Sequence, residues 1–193
     1  MLRVRWRKHE CAGPLPSANP AARHAEGRPL SAVPEPQQRV LLPMTTMHLE
    51  AVMAIEVAAY AFPWSRGNFV DSLASGYAAS VLYDGAGEIL GYFVAMAGVE
   101  EMHLLNITVT PHAQHRGHAL YLLDALVALC RERGARQLWL EVRESNARAR
   151  SIYLRRGFQH VGRRKGYYPA AHGKREDAAV MSLPIEEVSR GLD

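Results

Sequence analysis

The sequence predicts a mixed α/β single domain with a partly antiparallel sheet, and three observations carry that expectation. The apolar runs "AASVLYD" and "ILGYFVAMAGV" flank the turn-forming "GAGE", the pattern of a β-hairpin. Ala119, Leu122, Leu123, Leu126, Val127 and Cys130 recur at helical spacing, the strongest helix signal in the chain. Strand-like and helix-like segments follow one another along the same stretch, the arrangement of a mixed domain.

In chain order, "RVLLPM" reads as a first strand, so the domain starts near Gln37. "TTMHLEAVMAIEVAAYAF" reads as a helix capped by Thr45 or Thr46. Its buried stripe is mostly apolar, formed by Leu49, Val52, Met53, Glu56 and Val57, and Pro63 ends it. A second short helix follows in "FPWSRGNFVDSLAS", with Ser65 as its cap. After the hairpin, "EMHLLNITVT" is another strand, stopped by Pro111. The long helix runs from Gly117, and Gly134 stops it. "QLWLEV" is a strand, Asn146 or Ser145 caps a helix running to Arg156, and Gly157 ends that helix. "FQHVGRR" and "AAVMSLPI" are the last strands. The expected organisation is an extension over 1–36, a domain over 37–185 and a tail over 186–193. The extension holds six of the 11 prolines and no persistent periodicity, which predicts disorder there.

Composition excludes several classes. With 193 residues, 48% hydrophobic and 22% charged, the chain is ordinary globular material large enough for one full core. No apolar run approaches the roughly 20 residues that span a bilayer, so no membrane partner is expected. Pro14, Pro16 and Pro20 stand where a secretory signal would need its apolar region. Cys11 and Cys130 make neither a disulfide framework nor a zinc spacing, which fits a reduced, cytoplasmic protein. The net charge is +4 and the pI about 9.3, with the excess in the C-terminal half. Most of those arginines read as solvated surface. The functional reading is attraction to an anion, a phosphorylated cofactor or RNA.

Two places carry chemistry. "NITVTPHAQHRGHALYLL" is a strand, a turn with Gly117, and a strong helix. A helix N-terminus leaves about four unpaired N–H groups and a partial positive charge, and a glycine lets a ligand approach. This is the makings of a pyrophosphate cradle, to which Arg116 could add a charge-assisted contact. It is neither a Walker loop nor a dinucleotide fingerprint, because the required lysine and further glycines are missing. His112, His115 and His118 do not make a metal site, since Pro111 and Gly117 predict an irregular turn and no carboxylate or cysteine joins them. The second place is "LWLEVRESNARARSIY". Strand alternation puts Leu138, Leu140 and Val142 on one face and Trp139 and Glu141 on the other, so Glu141 can face a cleft. Tyr153 shares one side of the next helix with Ala149 and Arg156. The residues alone leave open an exposed Glu141 paired to Arg143 or a neighbour, and a Tyr153 that is a core aromatic.

"QHRGHA", from Gln114 to Ala119, matches the Gln/Arg-x-x-Gly-x-Gly/Ala signature of the GCN5-related N-acetyltransferases, and the chain resembles that family over roughly 37–185. "HLLNITV", "LWLEVRESNARARSIYLRRGF", "GYYPAAHGKREDAAVMSLP" and "AFPWS" resemble its bacterial ribosomal-protein alanine acetyltransferases, the RimI type. The resemblance implies the GNAT fold, a mixed and mostly antiparallel central sheet flanked by helices. It implies acetyl-CoA as cosubstrate and no metal. Ile107, Thr108 and Val109 would meet the pantetheine arm by backbone pairing. His115, Arg116, Gly117, His118, Ala119 and Leu120 would hold the pyrophosphate, and Asn146 would also contact the cofactor. Glu141 becomes the general base and Tyr153 the general acid, with a backbone N–H of the 107–109 strand as oxyanion donor. Arg143 and the Tyr167–Tyr168–Pro169 loop would border the acceptor groove, one tyrosine in the core and one out.

The function implied is acetylation of a protein N-terminal α-amino group, the family's acceptor being the N-terminal alanine of the eighteenth small-subunit ribosomal protein. Alternatives are acetylation of other protein N-termini or of a small-molecule amine, and a non-catalytic basic protein binding RNA or the ribosome. Direct nucleic-acid binding is not expected, because the arginines are not interleaved with stacking aromatics. A monomer or weak dimer is expected.

Overall fold

A computed structural model describes residues 39–186. The expected extension over 1–36 and positions 187–193 of the expected tail lie outside the described residues. Seven strands form one sheet in the order β1-β2-β3-β4-β5-β7-β6. They are β1 (Val40–Pro43), β2 (Ala78–Tyr83), β3 (Ile89–Ala97), β4 (Glu101–Val109), β5 (Gln137–Arg143), β6 (Gln159–Pro169) and β7 (Arg175–Pro184). Every neighbouring pair is antiparallel except β4 with β5. Four α-helices flank the sheet: α1 (Leu49–Ala59), α2 (Arg66–Ala74), α3 (His118–Glu132) and α4 (Ala147–Arg155). The mixed, mostly antiparallel sheet expected from the sequence is the observed one.

The period-2 pattern gives the sheet two cores. Met44, Leu49, Val52, Ile55, Phe69, Val81, Tyr92 and Val94 pack under α1 and α2. Leu82, Phe93, Met102, Leu104, Leu122, Leu126, Leu138, Leu140 and Phe158 belong to the other core, with α3 and α4. In β5 the alternation is complete. Leu138, Leu140 and Val142 are buried on the α3 side, and Trp139 and Glu141 are half-buried on the other.

The helix signals hold with two differences. Ser65 caps α2 by accepting from the Asn68 N–H, and Asn146 caps α4 by accepting from the Ala149 N–H. Gly134 follows α3 with φ +69°. However, α1 stops at Ala59, where Tyr60 turns extended, ahead of Pro63. Val57 is exposed, and the buried face is Leu49, Val52, Ile55 and Glu56. The Tyr-Tyr-Pro segment also differs from the loop expected for it. It lies within β6, where Tyr168 pairs with Glu176 and Pro169 with Arg175.

One irregularity shapes everything downstream. The β3–β4 register shifts between Val94 and Ala95, which pair with Asn106 and Leu104, so Leu105 is a bulged residue without an opposite number. A bulge bends its strand and raises its twist. The β4–β5 pairing runs from Glu101 with Gln137 to Leu104 with Leu140 and stops there. Beyond that rung the two strands part.

Gly91 keeps the diverging arm close to its other neighbour. It pairs with Val109, and a Cβ there would fall against the Thr108 carbonyl oxygen and 3.2 Å from Leu122 Cδ1. Gly91→Ala should therefore destabilise the fold by about 1–3 kcal/mol through overpacking. Denaturant unfolding checks this, and an unchanged midpoint contradicts the close approach.

Candidate active site at the fork between β4 and β5

The fork has two arms, 105–109 on β4 and 141–143 on β5. The Thr110 N–H donates to the Leu90 carbonyl, and Thr108 sits opposite Tyr92. Alternation along an antiparallel ladder then turns the backbone groups of Ile107 and Val109 away from β3, into the fork. Two of the carbonyls there are taken. Ile107 accepts from the Tyr60 hydroxyl at 3.2 Å and Val109 from the Gln114 side-chain amide at 3.2 Å. The N–H groups of Ile107 and Val109 remain as donors facing the gap.

The arm continues into a turn built for an anion. His115 has φ +67° and Gly117 φ +81°, so successive N–H groups converge on one side of the loop. Gly117 has open space where a Cβ would stand. The first hydrogen bond of α3 is donated by the Tyr121 N–H to the Gly117 carbonyl, which leaves His118, Ala119 and Leu120 N–H without intrahelical acceptors. Arg148 of α4 donates to the His115 ring and ties the turn down. Arg116 is exposed beside it. The His118 ring is turned inward, and burial first, then Arg39 and Arg116, lowers its pKa, so it stays neutral and offers the site its backbone only. Thus Ile107, Val109 and residues 117–120 fit an extended, pyrophosphate-bearing ligand, and Thr108 is turned to the α1 side. Asn146 spends its side-chain oxygen on the α4 cap.

The three histidines do not converge. His112 pairs with Glu88, His115 with Arg148, and His118 points inward. Among the described residues no group of three His, Cys, Asp or Glu side chains could hold a metal ion.

Glu141 is the first residue of β5 past the last rung shared with β4. Its carboxylate faces the α1 side and accepts from Arg164 at 2.8 Å; the pair is with Arg164, not Arg143. Its carbonyl accepts from the Tyr168 hydroxyl at 2.9 Å. Tyr153 arrives from the opposite face. Its ring is buried 5.5 Å from that of Phe158, in the α3–α4 core. Burial drives its phenol well above the usual tyrosine range, with Tyr60 and Tyr168 adding to the effect. The Tyr60 hydroxyl bonds Ile107 on one arm of the fork and the Tyr168 hydroxyl bonds Glu141 on the other, and both phenols bear electrostatically on Tyr153. Tyr167 and Tyr168 are both half-buried, ring against ring at 4.8 Å, rather than one in and one out. Arg143 lies 4.4 Å over the Tyr168 ring and 5.6 Å from Phe62 of the α1–α2 loop, and bonds Glu176 and the Pro169 carbonyl. It thereby joins the α1–α2 loop to the paired ends of β6 and β7.

Several polar groups here escaped the sequence reading. Glu56, Tyr92, Asn106 and Tyr60 join the side chain of Thr108, expected above only as a backbone contact, in one hydrogen-bonded chain beside the β4 arm. The available signal was an acid among apolar residues of the α1 stripe.

The acetyltransferase (GNAT) family model matches residues 49–158, more than half of the chain. The chain belongs to this family. It is similar to the [ribosomal protein bS18]-alanine N-acetyltransferase of Escherichia coli strain K12, 38% identical over 142 residues, covering 74% of this chain and 95% of that one. The enzyme of the same name from Haemophilus ducreyi is 37% identical over 129 residues, covering 67% and 88%. The crystal structure of the Escherichia coli ribosomal-protein-S18-alanine N-acetyltransferase superposes with a TM-score of 0.72 at 35% identity, covering 81% of this chain and 99% of that one. A GNAT phosphinothricin acetyltransferase from Sinorhizobium meliloti, solved with acetyl-CoA, shares the fold at a TM-score of 0.64 and 22% identity, covering 76% of this chain and 88% of that one. Within this GNAT domain, no helix among the described residues is long and apolar enough to cross a membrane.

One pH effect follows from the fork's border. Hydrogen bonding from Ser145 first, then Arg143, holds the Glu176 carboxyl below its ordinary 4.5. A carboxylate with a depressed folded-state pKa gives stability that is present above its unfolded value and lost as pH falls through the folded one. Thermal melts should therefore show wild type more stable than Glu176→Gln at neutral pH, with the gap closing below 4.5. A gap independent of pH contradicts this account.

Proposed function

We propose that this GNAT transfers an acetyl group from acetyl-CoA to the α-amino group of a protein N-terminus, that of the N-terminal alanine of ribosomal protein bS18, in the cytoplasm. The observation that carries the reading is the place of Glu141, a carboxylate at the first open position of a fork whose other arm presents backbone N–H donors. The bS18-acetylating relatives, similar over most of their length, support the choice of acceptor.

Bound acetyl-CoA would supply the thioester. Ile107 and Val109 would align its arm, and the N–H groups of 117–120 with Arg116 would hold its pyrophosphate. A free α-amine has a pKa of about 8, so it reaches the enzyme mostly protonated. Glu141, held by Arg164, would take that proton directly or through a water. A fork N–H would hold charge developing on the carbonyl oxygen. The neutral amine would form a C–N bond to the acetyl carbon as the C–S bond breaks; the Tyr153 hydroxyl, kept protonated by burial, would give its proton to the departing sulfur, and the second proton shed by the nitrogen would restore the phenol through solvent.

The basic C-terminal half gives little support to an RNA-binding reading. Arg143 pairs with Glu176, Arg156 with Asp124, Arg163 with Glu144 and Asp177, and Arg164 with Glu141.

Glu141→Gln should slow turnover about 100-fold or more at neutral pH while acetyl-CoA still binds. Its pH optimum should move upward, because the amine must then shed its proton to solvent. Wild-type turnover in this variant removes the base from the mechanism. Tyr153→Phe should lower kcat more than it weakens acetyl-CoA binding, and unchanged kinetics removes the acid. The acceptor is tested with peptides carrying a free N-terminal alanine, a free N-terminal methionine, or acetyl-alanine followed by lysine. Only the free alanine should be acetylated efficiently; acetylation of lysine in the blocked peptide contradicts the N-terminal reading.

A further inference from the structure

Glu56 is an ionisable group that this chemistry leaves without a task. It lies on α1 with 1% of its surface exposed. A buried carboxylate is costly unless it is well supplied with donors. Here the donors come from three elements. They are the Tyr92 hydroxyl on β3, the Trp64 N–H at 2.8 Å in the α1–α2 loop, and the Asn106 amide on β4 at 3.3 and 3.4 Å from the two carboxylate oxygens. Asn106 is the residue directly after the bulge at Leu105. Its own oxygen accepts from the Thr108 hydroxyl at 2.9 Å. The Thr108 oxygen in turn lies 3.0 Å from the Tyr60 hydroxyl, whose single proton is shared between it and the Ile107 carbonyl in the fork, 3.2 Å away.

A core that needed only volume at Glu56 would be served as well by an apolar side chain. What a carboxylate adds is direction. It can hold two donors from β3 and β4 and a loop N–H at fixed angles at once. The chain of bonds ends at Tyr60, half in solvent, on the same face of the sheet as Glu141.

We propose that Glu56 is a positioning residue for acyl transfer: through Asn106, Thr108 and Tyr60 it fixes the 105–109 arm and seats Tyr60 at the acceptor side of the fork. This rests on acyl transfer taking place at the fork. The effect falls on the amine rather than on the pyrophosphate cradle, which lies beyond Val109 and is held separately by Gln114 and Arg148.

The test is a double-mutant cycle on turnover, with Tm and acetyl-CoA Kd measured on every variant. Glu56→Gln puts an amide donor against Asn106, Tyr92 or Trp64. It should lower kcat/KM for the acceptor peptide by about tenfold to a hundredfold, the scale of small misplacements, with a smaller loss of acetyl-CoA affinity because the 117–120 cradle is held separately. Tyr60→Phe should lose a similar factor, and the double variant should be no worse than the more severe single. Additive losses, or a Glu56→Gln enzyme with wild-type kcat/KM, overturn the proposal. If Glu56→Gln does not fold, Asn106→Ala takes its place in the cycle, since it cuts the relay one link later and leaves Glu56 with Tyr92 and Trp64. The relay is also read without any acceptor, by amide hydrogen exchange of free Asn106→Ala. Faster exchange over both 60–64 and 105–109 supports it even if wild type proves to acetylate a different amine, and unchanged exchange in those segments overturns it.

Discussion

The bulge at Leu105 is the constraint on which the rest of the site depends. Up to Leu104, β4 and β5 are parallel neighbours that satisfy one another's backbone groups. One extra residue in β4 ends this pairing while leaving β3 to hold the strand on its other side. The result is a wedge inside a continuous sheet, with backbone donors on one wall and a carboxylate on the other. Unpaired backbone groups in a partly buried gap seek a partner. Here Tyr60 and Gln114 supply partners for two carbonyls, and the N–H groups are left for a ligand.

The wedge also explains how residues from opposite faces of a sheet can serve one reaction. Glu141 belongs to the α1 face and Tyr153 to the α3–α4 core. In an intact sheet the backbone would separate them. Where the strands part, the proposed base on one side and the proposed acid on the other would act on the two ends of the same transfer. Their environments are set apart accordingly: the carboxylate is fixed by an exposed arginine, and the phenol is desolvated.

Much of this was legible in the sequence because it rests on local rules. The alternation in "QLWLEV" placed Glu141 off the core face, and the structure keeps it there. Gly117 ahead of an amphipathic helix marked the N–H cradle, and Asn146 marked the cap of α4. What was not legible depends on pairing across the chain. The bulge is a mismatch between β3 and β4, and nothing within "HLLNITV" alone reveals it. Arg164 reaches Glu141 only because β6 comes back beside β7 and β5. Glu56 passed as an imperfection in an apolar stripe, since its donors come from residues 64, 92 and 106. The Tyr-Tyr-Pro segment looked like a loop because its strand partner, Arg175–Glu176, is charged rather than apolar.

The wedge opened by the bulge is the seat we propose for the acyl donor. The most direct measurement is an NMR titration of the backbone amides of the folded chain with coenzyme A. Large shifts are expected at Ile107, Val109 and Gly117 to Leu120, with the amides of α2 and β1 unmoved. Saturable binding that leaves Ile107 and Val109 unshifted would contradict it.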